Sequence, residues 1–456
     1  MGRVLRVAAL VGLLAASPAA AQEEAEKAEE REPGPQATGK LLSWKSKGGL
    51  LYEYAVPAGY DPARGANLVF ILHGTGLDRR WGFANHRRGE FRPDDIVVSP
   101  DGPTPSGGAR LWANESDDVR ALHDLQEELG RAFKVRQVYV YGHSQGAFFA
   151  FLYASTYPGE VAGAVGQAGG VWKTTPVNSR NRNLPLVFLH GTADPVVPYS
   201  NSRGGYDWLR DQGYVRCHFR AMEGWNHWPS PFHASQQIAW IEGTTTTDPE
   251  RIAASLDHFG KVAEKEWIDF SAWHAVARRA AALEGAPEDL RKRGAADAAA
   301  LEALAAKHAK AIRAAVGKEG PDKAPGKPWI GRAARFLRDF EGVPAREALA
   351  KEWTATLDRH REKAVAALKE HYRVRENDAK KAFESGVRAV RDGFLHYECS
   401  DPAFLDSLAA WEREAAKWKL DPAAVKAYAA VVPPFREALD RGWKDYLEAN
   451  RAPRSE

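Results

Sequence analysis

Three residue types occur in an order that could carry out nucleophilic acyl transfer. A serine sits in Gly142-His143-Ser144-Gln145-Gly146. An aspartate follows in His190-Gly191-Thr192-Ala193-Asp194-Pro195-Val196-Val197-Pro198, and a histidine in Gly224-Trp225-Asn226-His227-Trp228-Pro229. A serine hydroxyl is a weak nucleophile until a base within hydrogen-bond reach takes its proton, and that base needs a carboxylate to orient it. Ser144, His227 and Asp194 supply those three roles. The glycines flanking the serine suit a sharp turn, in which the serine backbone is strained and its neighbours must be small.

The elements around these motifs could position them. Val135 to Tyr141 is largely apolar and predicts a buried strand, and Ala147 to Leu152 predicts a buried helix, so Ser144 falls on a strand-to-helix turn. The strand Leu184 to Leu189 leads into the Asp194 loop, and the strand Val215 to Met222 leads into the His227 loop. Loops after the carboxyl ends of strands are where open α/β sheets build their sites.

Strand and helix patterns alternate from about 67 to 241, which predicts a doubly wound, mostly parallel α/β sheet. Asn67 to Leu72 is continuously apolar, as for a central strand covered on both faces, and ends in His73-Gly74-Thr75-Gly76. Leu51 to Val56 alternates and reads as an edge strand, and Ile96 to Ser99 as a further strand. Ser116 is placed to cap a helix with apolar positions Val119, Leu122, Leu125 and Leu129. Val161 to Val165 reads as a strand, and Tyr206 to Gln212 and Ala234 to Ile241 as helices.

Beyond Gly243 the composition shifts. Thr244 to Thr247 reads as a polar hinge, and the rest is rich in Ala, Lys, Arg and Glu with helical periodicity. One helix carries Leu301, Leu304, Ile312 and Val316, and another carries Phe383, Val387, Val390 and Phe394. Gly317 to Pro328 interrupts this run and Pro433-Pro434 breaks a later helix. His308 reads as a boundary histidine on an apolar stripe. The expected organisation is a signal peptide at 1–21, a disordered tether at 22–40, a catalytic domain at 41–243 and an all-helical region at 248–456.

The amino terminus has the layout of a secretory signal. Arg3 and Arg6 precede an apolar run, Val7 to Ala16, too short to span a bilayer, and Ala19-Ala20-Ala21 fits small-residue cleavage. Export to the periplasm or the exterior is expected after cleavage near Ala21, with no later membrane span. The Glu-, Lys- and Pro-rich stretch behind it cannot bury a core. The net charge of +3 over 456 residues does not suggest nucleic acid. Two cysteines, Cys217 and Cys399, could form one bridge or remain buried thiols. No cluster has metal-ligand spacing, and Gly169-Gly170 reads as a turn rather than a phosphate loop, so neither metal nor other cofactor is expected.

Taken together, His73-Gly74-Thr75-Gly76, the Ser144 pentapeptide, the Asp194 motif and the His227 motif resemble serine esterases of the α/β-hydrolase superfamily. The likeness points to the secreted polyhydroxybutyrate-depolymerase and feruloyl-esterase-like group. The phospholipase/carboxylesterase group is a near second, through its Gly-x-Ser-Gln-Gly elbow and its aspartate before Val-Val-Pro. The resemblance covers about 41 to 243 and does not reach the helical region. It implies Ser144 as nucleophile, Asp194 as orienter and His227 as base, with the backbone amides of Thr75 and Gln145 as an oxyanion hole. The Gln145 amide, at a helix start, would also carry the positive end of the helix dipole.

Other readings stand beside these. Asp194-Pro195 suits a turn. His233 is a rival to His227, although it falls at the start of the last helix. His143 is expected to pack beside the elbow, and His73 and His190 to hold loop conformations. Trp81, Trp112, Trp225 and Trp228 fall on loops at the presumed active edge, where they could form an acyl or sugar platform or pack in the core. The substrate would be a small-molecule or polysaccharide-linked ester, and a peptidase uses the same triad chemistry. The helical region could instead be the working part of a binding protein, engaging an envelope or polymer partner.

Overall fold

The structure is a computed structural model that describes residues 38–351, apart from 87–90, 107–108, 192–193, 195, 223–224, 264–267, 317–332, 334 and 338. The signal-peptide reading, the Phe383 helix, Pro433-Pro434 and Cys399 lie outside the described residues, as does almost all of the tether. The strands of the main sheet follow the spatial order Leu41–Lys45, Leu51–Ala55, Ile96–Pro100, Ala66–Leu72, Val135–His143, Gly163–Gln167, Leu186–Gly191 and Cys217–Met222. With its parallel centre and its helices, this is the α/β-hydrolase fold.

The chain divides into two compact units. The first takes residues up to 166 together with 171–184, and the second takes 167–170 and everything from 185 onward. The division falls inside the stretch expected to form one catalytic domain, rather than at the Thr244–Thr247 hinge.

In the first unit, β3 (Ala66–Leu72) and β4 (Ile96–Pro100) are buried along their whole length. This agrees with the unbroken apolar runs that encode them. They pair in parallel, and β3 pairs in parallel with β7 (Val135–His143) on its other side. The edge belongs to β1 (Leu41–Lys45), which pairs antiparallel with β2 (Leu51–Ala55). The segment expected at the edge is therefore interior. Tyr52 and Tyr54 are both buried, because β2 also pairs with β4. A short hairpin, β5 (Thr104–Ser106) and β6 (Ala109–Leu111), forms a separate ribbon.

Helix α1 (Arg79–His86) starts on a carboxylate. Asp101, just past β4, accepts from the Arg79 backbone N–H at 2.7 Å and from the Arg79 guanidinium at 3.0 Å. Helix α2 (Ser116–Ala132) buries Val119, Leu122, Leu125 and Leu129, as its spacing predicts. The expected cap differs. Glu115 occupies the cap position without a side-chain bond, and Ser116 is already helical. Asp118 accepts instead from the Ala113 amide and the Thr104 hydroxyl, tying the helix start to the preceding loop. Helix α3 (Gln145–Thr156) follows β7, and β8 (Gly163–Gln167) starts two residues later than its apolar run.

In the second unit, β9 (Leu186–Gly191) and β10 (Cys217–Met222) pair in parallel. Helix α4 (Tyr199–Asp211) lies between them in sequence and begins well before the predicted Tyr206. Helix α5 (Pro231–Thr245) passes straight through Gly243. The Thr244 and Thr245 hydroxyls bond back to the Trp240 and Ile241 carbonyls, so the threonines end a helix rather than form a hinge. Gly243 is a packing residue. A Cβ there would meet Val276 Cγ1 at 2.6 Å.

Helices α6 (Pro249–Val262), α7 (Phe270–Ala282) and α8 (Glu288–Val316) continue the unit. Asp248 and Asp269 cap α6 and α7 with their side chains. The core between α5 and these helices holds Ala239, Ile252, Leu256, Phe259, Val276 and Leu290. Leu301 and Ile312 on α8 are buried, and His308 packs against the Phe336 and Phe340 rings.

The polar side chains of β10 are also enclosed. His218 Nε2 lies 2.7 Å from Asp269 Oδ2, and Arg220 donates to Asp339 at 2.9 Å and to the Ile268 carbonyl at 3.0 Å. Cys217 is a buried free thiol, and burial pushes its pKa up to about 12.

Candidate active site

The elbow is built by close backbone approach. Ser144 has φ +56°, in the left-handed region that a non-glycine residue rarely adopts. It lies between the last residue of β7 and the first of α3, and it is partly accessible. A Cβ on Gly142 would fall 2.0 Å from the Gly146 carbonyl oxygen, and one on Gly146 would fall 2.3 Å from the Leu72 carbonyl oxygen. Both glycines are therefore demanded by contact. The strain at Ser144 is held by the strand and helix on either side, which is how such conformations persist at reactive sites.

The loop after β3 lies against the elbow. A Cβ on Gly74 would be 3.0 Å from Ser144 Cβ, and the Thr75 hydroxyl donates to Gln145 Oε1 at 3.0 Å. The two residues expected to present oxyanion amides are thus tied side chain to side chain. His73 fixes this loop from beneath. Its Nδ1–H donates to the Gly74 carbonyl at 2.8 Å, and its Nε2 accepts from the Gly102 amide at 2.8 Å. Burial lowers its pKa, so it is a neutral ring with both nitrogens used, consistent with the loop-holding reading.

The acid and base candidates belong to the second unit and meet directly. His227 Nδ1 lies 2.8 Å from Asp194 Oδ2, with the carboxylate fully buried and the imidazole partly open. Asp194 Oδ1 accepts from the Val196 and Val197 amides at 2.8 and 3.0 Å. These two bonds hold one carboxylate oxygen, and the other meets His227. Burial by itself would raise the Asp194 pKa. Hydrogen bonds from His190 and His227, the charge of His227 and the Val197 amide outweigh it and hold the carboxyl well below the usual range. The Asp194 contact is made through Nδ1 of the His227 ring, which leaves Nε2 on the far edge of the imidazole from the carboxylate.

The rival histidines are accounted for. His233, in the first turn of α5, is buried with Nδ1 2.6 Å from Ser230 Oγ, and burial lowers its pKa to about 3. His143 is buried and stacks on Trp81 with ring centroids 4.9 Å apart.

The four tryptophans separate by environment. Trp112 is a correction to the platform expectation. It is completely buried, its ring tilted against Phe149 at 4.6 Å and against His73 at 5.9 Å, so it supports the Thr75 loop from the core side. Trp81 lies in α1 rather than on a loop. Trp225 is partly buried, with its indole N–H donated to the Trp228 carbonyl at 2.8 Å and its ring edge against His233. Trp228 is 62% exposed, on a backbone held also by Asn226 and Gln167.

Two groups of contributing residues carried no sequence signal for their part here. Asp101 and Arg79 anchor α1 and hence Trp81, but they lie 22 positions apart. Ser202, on α4, reaches His190 Nδ1 at 2.6 Å and the Gly169 carbonyl at 2.7 Å. Among the described residues no helix is long and apolar enough to cross a membrane, and no cluster of histidine, cysteine and carboxylate side chains could hold a metal ion.

A serine elbow ending a central parallel strand, with an Asp–His pair on loops after later strands, is the arrangement of an α/β-hydrolase. The phospholipase/carboxylesterase family matches residues 114–235, the stretch that holds Ser144, Asp194 and His227. The chain is 26% identical over 220 residues to acyl-protein thioesterase 1 of Saccharomyces cerevisiae, covering 41% of this chain and 96% of that protein. It is 26% identical over 165 residues to a probable carboxylesterase of Oryza sativa, covering 35% of this chain and 60% of the relative, less than two thirds of its length. A thermostable esterase of known structure is 20% identical with a TM-score of 0.34, over 48% of this chain and 62% of that one. These sequence similarities support a hydrolase acting on esters. They do not single out the polyhydroxybutyrate-depolymerase and feruloyl-esterase-like group.

Proposed function

We propose that the chain is an exported serine hydrolase that cleaves a carboxylic ester or thioester through an acyl-enzyme. Ser144 Oγ attacks the carbonyl carbon while its proton passes to His227 Nε2. The Thr75 and Gln145 amides receive the developing oxyanion, and losing one such donor typically costs about 2.7–4 kcal/mol in the transition state. His227 then protonates the leaving alcohol or thiol. Water repeats the sequence on the acyl-serine, releasing the acid and returning the proton to Ser144. Asp194 holds the His227 tautomer throughout.

The observation that carries this reading is the Asp194–His227 bond at 2.8 Å, with Asp194 fixed on its other oxygen by two amides. A buried carboxylate aimed at one nitrogen of a partly open imidazole is the arrangement a general base requires. The thioester alternative follows from the similarity to acyl-protein thioesterase 1, and feruloyl and short-chain acyl groups follow from the motif resemblance. Export follows from Arg3, Arg6, the apolar run after them and Ala19–Ala21.

The test is hydrolysis of p-nitrophenyl butyrate and of an acyl thioester, with fluorophosphonate labelling in parallel. The natural chain is expected to turn over at least one substrate and to carry the adduct on Ser144. Ser144→Ala is expected to lose both. Undiminished turnover in that variant, or an adduct elsewhere, overturns the assignment.

A further inference from the structure

We infer that His190 is a positioning residue of the same reaction, aligning Asp194 for His227. The inference rests on the triad reading above. His190 is the penultimate residue of β9, four residues before Asp194, and its side chain has no solvent exposure. Its Nε2 faces two oxygens, the Val197 carbonyl at 3.0 Å and Asp194 Oδ2 at 3.3 Å. Both are acceptors, so Nε2 must carry the hydrogen, whichever way the Ser202 hydroxyl turns. On the opposite side of the ring, Nδ1 lies 2.6 Å from Ser202 Oγ, which is itself 2.7 Å from the Gly169 carbonyl. The ring is therefore clamped at both nitrogens.

Asp194 consequently has donors on both oxygens. Two amides hold Oδ1, and two imidazoles share Oδ2. Without His190, His227 would be the one remaining partner of Oδ2 among the described residues, and the carboxylate could tilt about the two amides on Oδ1 and carry the base with it. His190 touches neither the substrate nor the reacting atoms in this scheme. It acts through Asp194, and a loose orienter lowers turnover while leaving ground-state binding in place.

The full-length chain tests this with two polar replacements of similar size. The side-chain amide of His190→Gln reaches about as far as Nε2, whereas that of His190→Asn stops near Nδ1 and leaves Asp194 unserved. His190→Asn is expected to lower kcat roughly 10- to 100-fold with KM within about twofold, and His190→Gln to recover most of the loss. In an Asp194→Ala background His190→Asn is expected to cause no further decrease. Ser202→Ala frees the Nδ1 clamp and lowers kcat in the same sense, which keeps the test decisive should His190→Asn not fold. Unchanged kcat in both His190→Asn and Ser202→Ala overturns the inference, and so does a loss that adds in full to that of Asp194→Ala. If Asp194→Ala itself hydrolyses normally, the triad reading has failed instead.

Discussion

Gly146 stands so close to Leu72 that a single methyl group would lie 2.3 Å from the Leu72 carbonyl oxygen. The contact joins the first turn of α3 to the end of β3, the strand that leads into the Thr75 loop. The clash is with backbone on a central strand, so it has no flexible side chain to displace. Gly146→Ala is expected to lose about 1–3 kcal/mol of stability, as overpacked cores do. It is also expected to abolish Ser144 labelling, because the helix start must move. Thermal unfolding and fluorophosphonate labelling report the two effects, and a variant that labels at the natural rate would contradict the contact.

His218 and Asp269 form a buried pair whose contribution depends on pH. Burial would lower the His218 pKa, but the Asp269 charge and hydrogen bond raise it overall. Burial would raise that of Asp269, but His218, Arg220 and the Ala272 amide lower it. The raised histidine stabilises the fold fully below its unfolded value, near 6.5, and that stability is lost as pH rises through its folded value. The lowered carboxylate stabilises above its unfolded value, near 3.9, and that stability is lost as pH falls. The pair therefore contributes most between about pH 4 and 6.5. Asp269→Asn is expected to cost about 3–5 kcal/mol in that window and to flatten the pH dependence, as read by urea unfolding. An unchanged profile would contradict the pairing.

Trp112 and Trp228 should respond in opposite ways to truncation. Trp112 is fully buried against Phe149, so Trp112→Ala is expected to cost about 3–5 kcal/mol. Trp228 is largely exposed, and Trp228→Ala is expected to stay within about 0.5 kcal/mol of the natural chain. If its indole meets an acyl group, KM rises for apolar esters while the melting temperature holds. Calorimetry alongside an ester chain-length series separates these outcomes.

Much of this protein is legible along the chain because its signals are local. The continuous apolar runs of β3 and β4 announce buried parallel strands, and the Val119, Leu122, Leu125 and Leu129 stripe announces α2. Gly142, Ser144 and Gly146 mark a turn with no room for side chains, and the loops of Asp194 and His227 follow strands as their motifs require. Structure departs from the local pattern where neighbours across space decide. The alternation of Leu51 to Val56 reads as an edge, but the extra strand β1 covers it. The run Thr244 to Thr247 reads as a hinge, but Thr244 and Thr245 are the last turn of α5, which packs closely on Val276 at Gly243. Trp112 lies in a loop by sequence, but Phe149 and His73 enclose it.

The sequence by itself determined the fold class, the serine elbow and the identity of an acid and a base candidate. Each of these is written in residue type and short-range spacing, through backbone freedom, hydrophobic period and motif order. The tertiary structure decided which side chains share a proton or a charge. It gave Asp194 two imidazoles, set His218 and Arg220 against Asp269 and Asp339, and put His73 under the Thr75 loop. Those pairings join residues tens of positions apart, or turn side chains that adjacent positions leave free. Hydrogen-bond geometry and burial are fixed once the chain has closed on itself, and no local pattern encodes them.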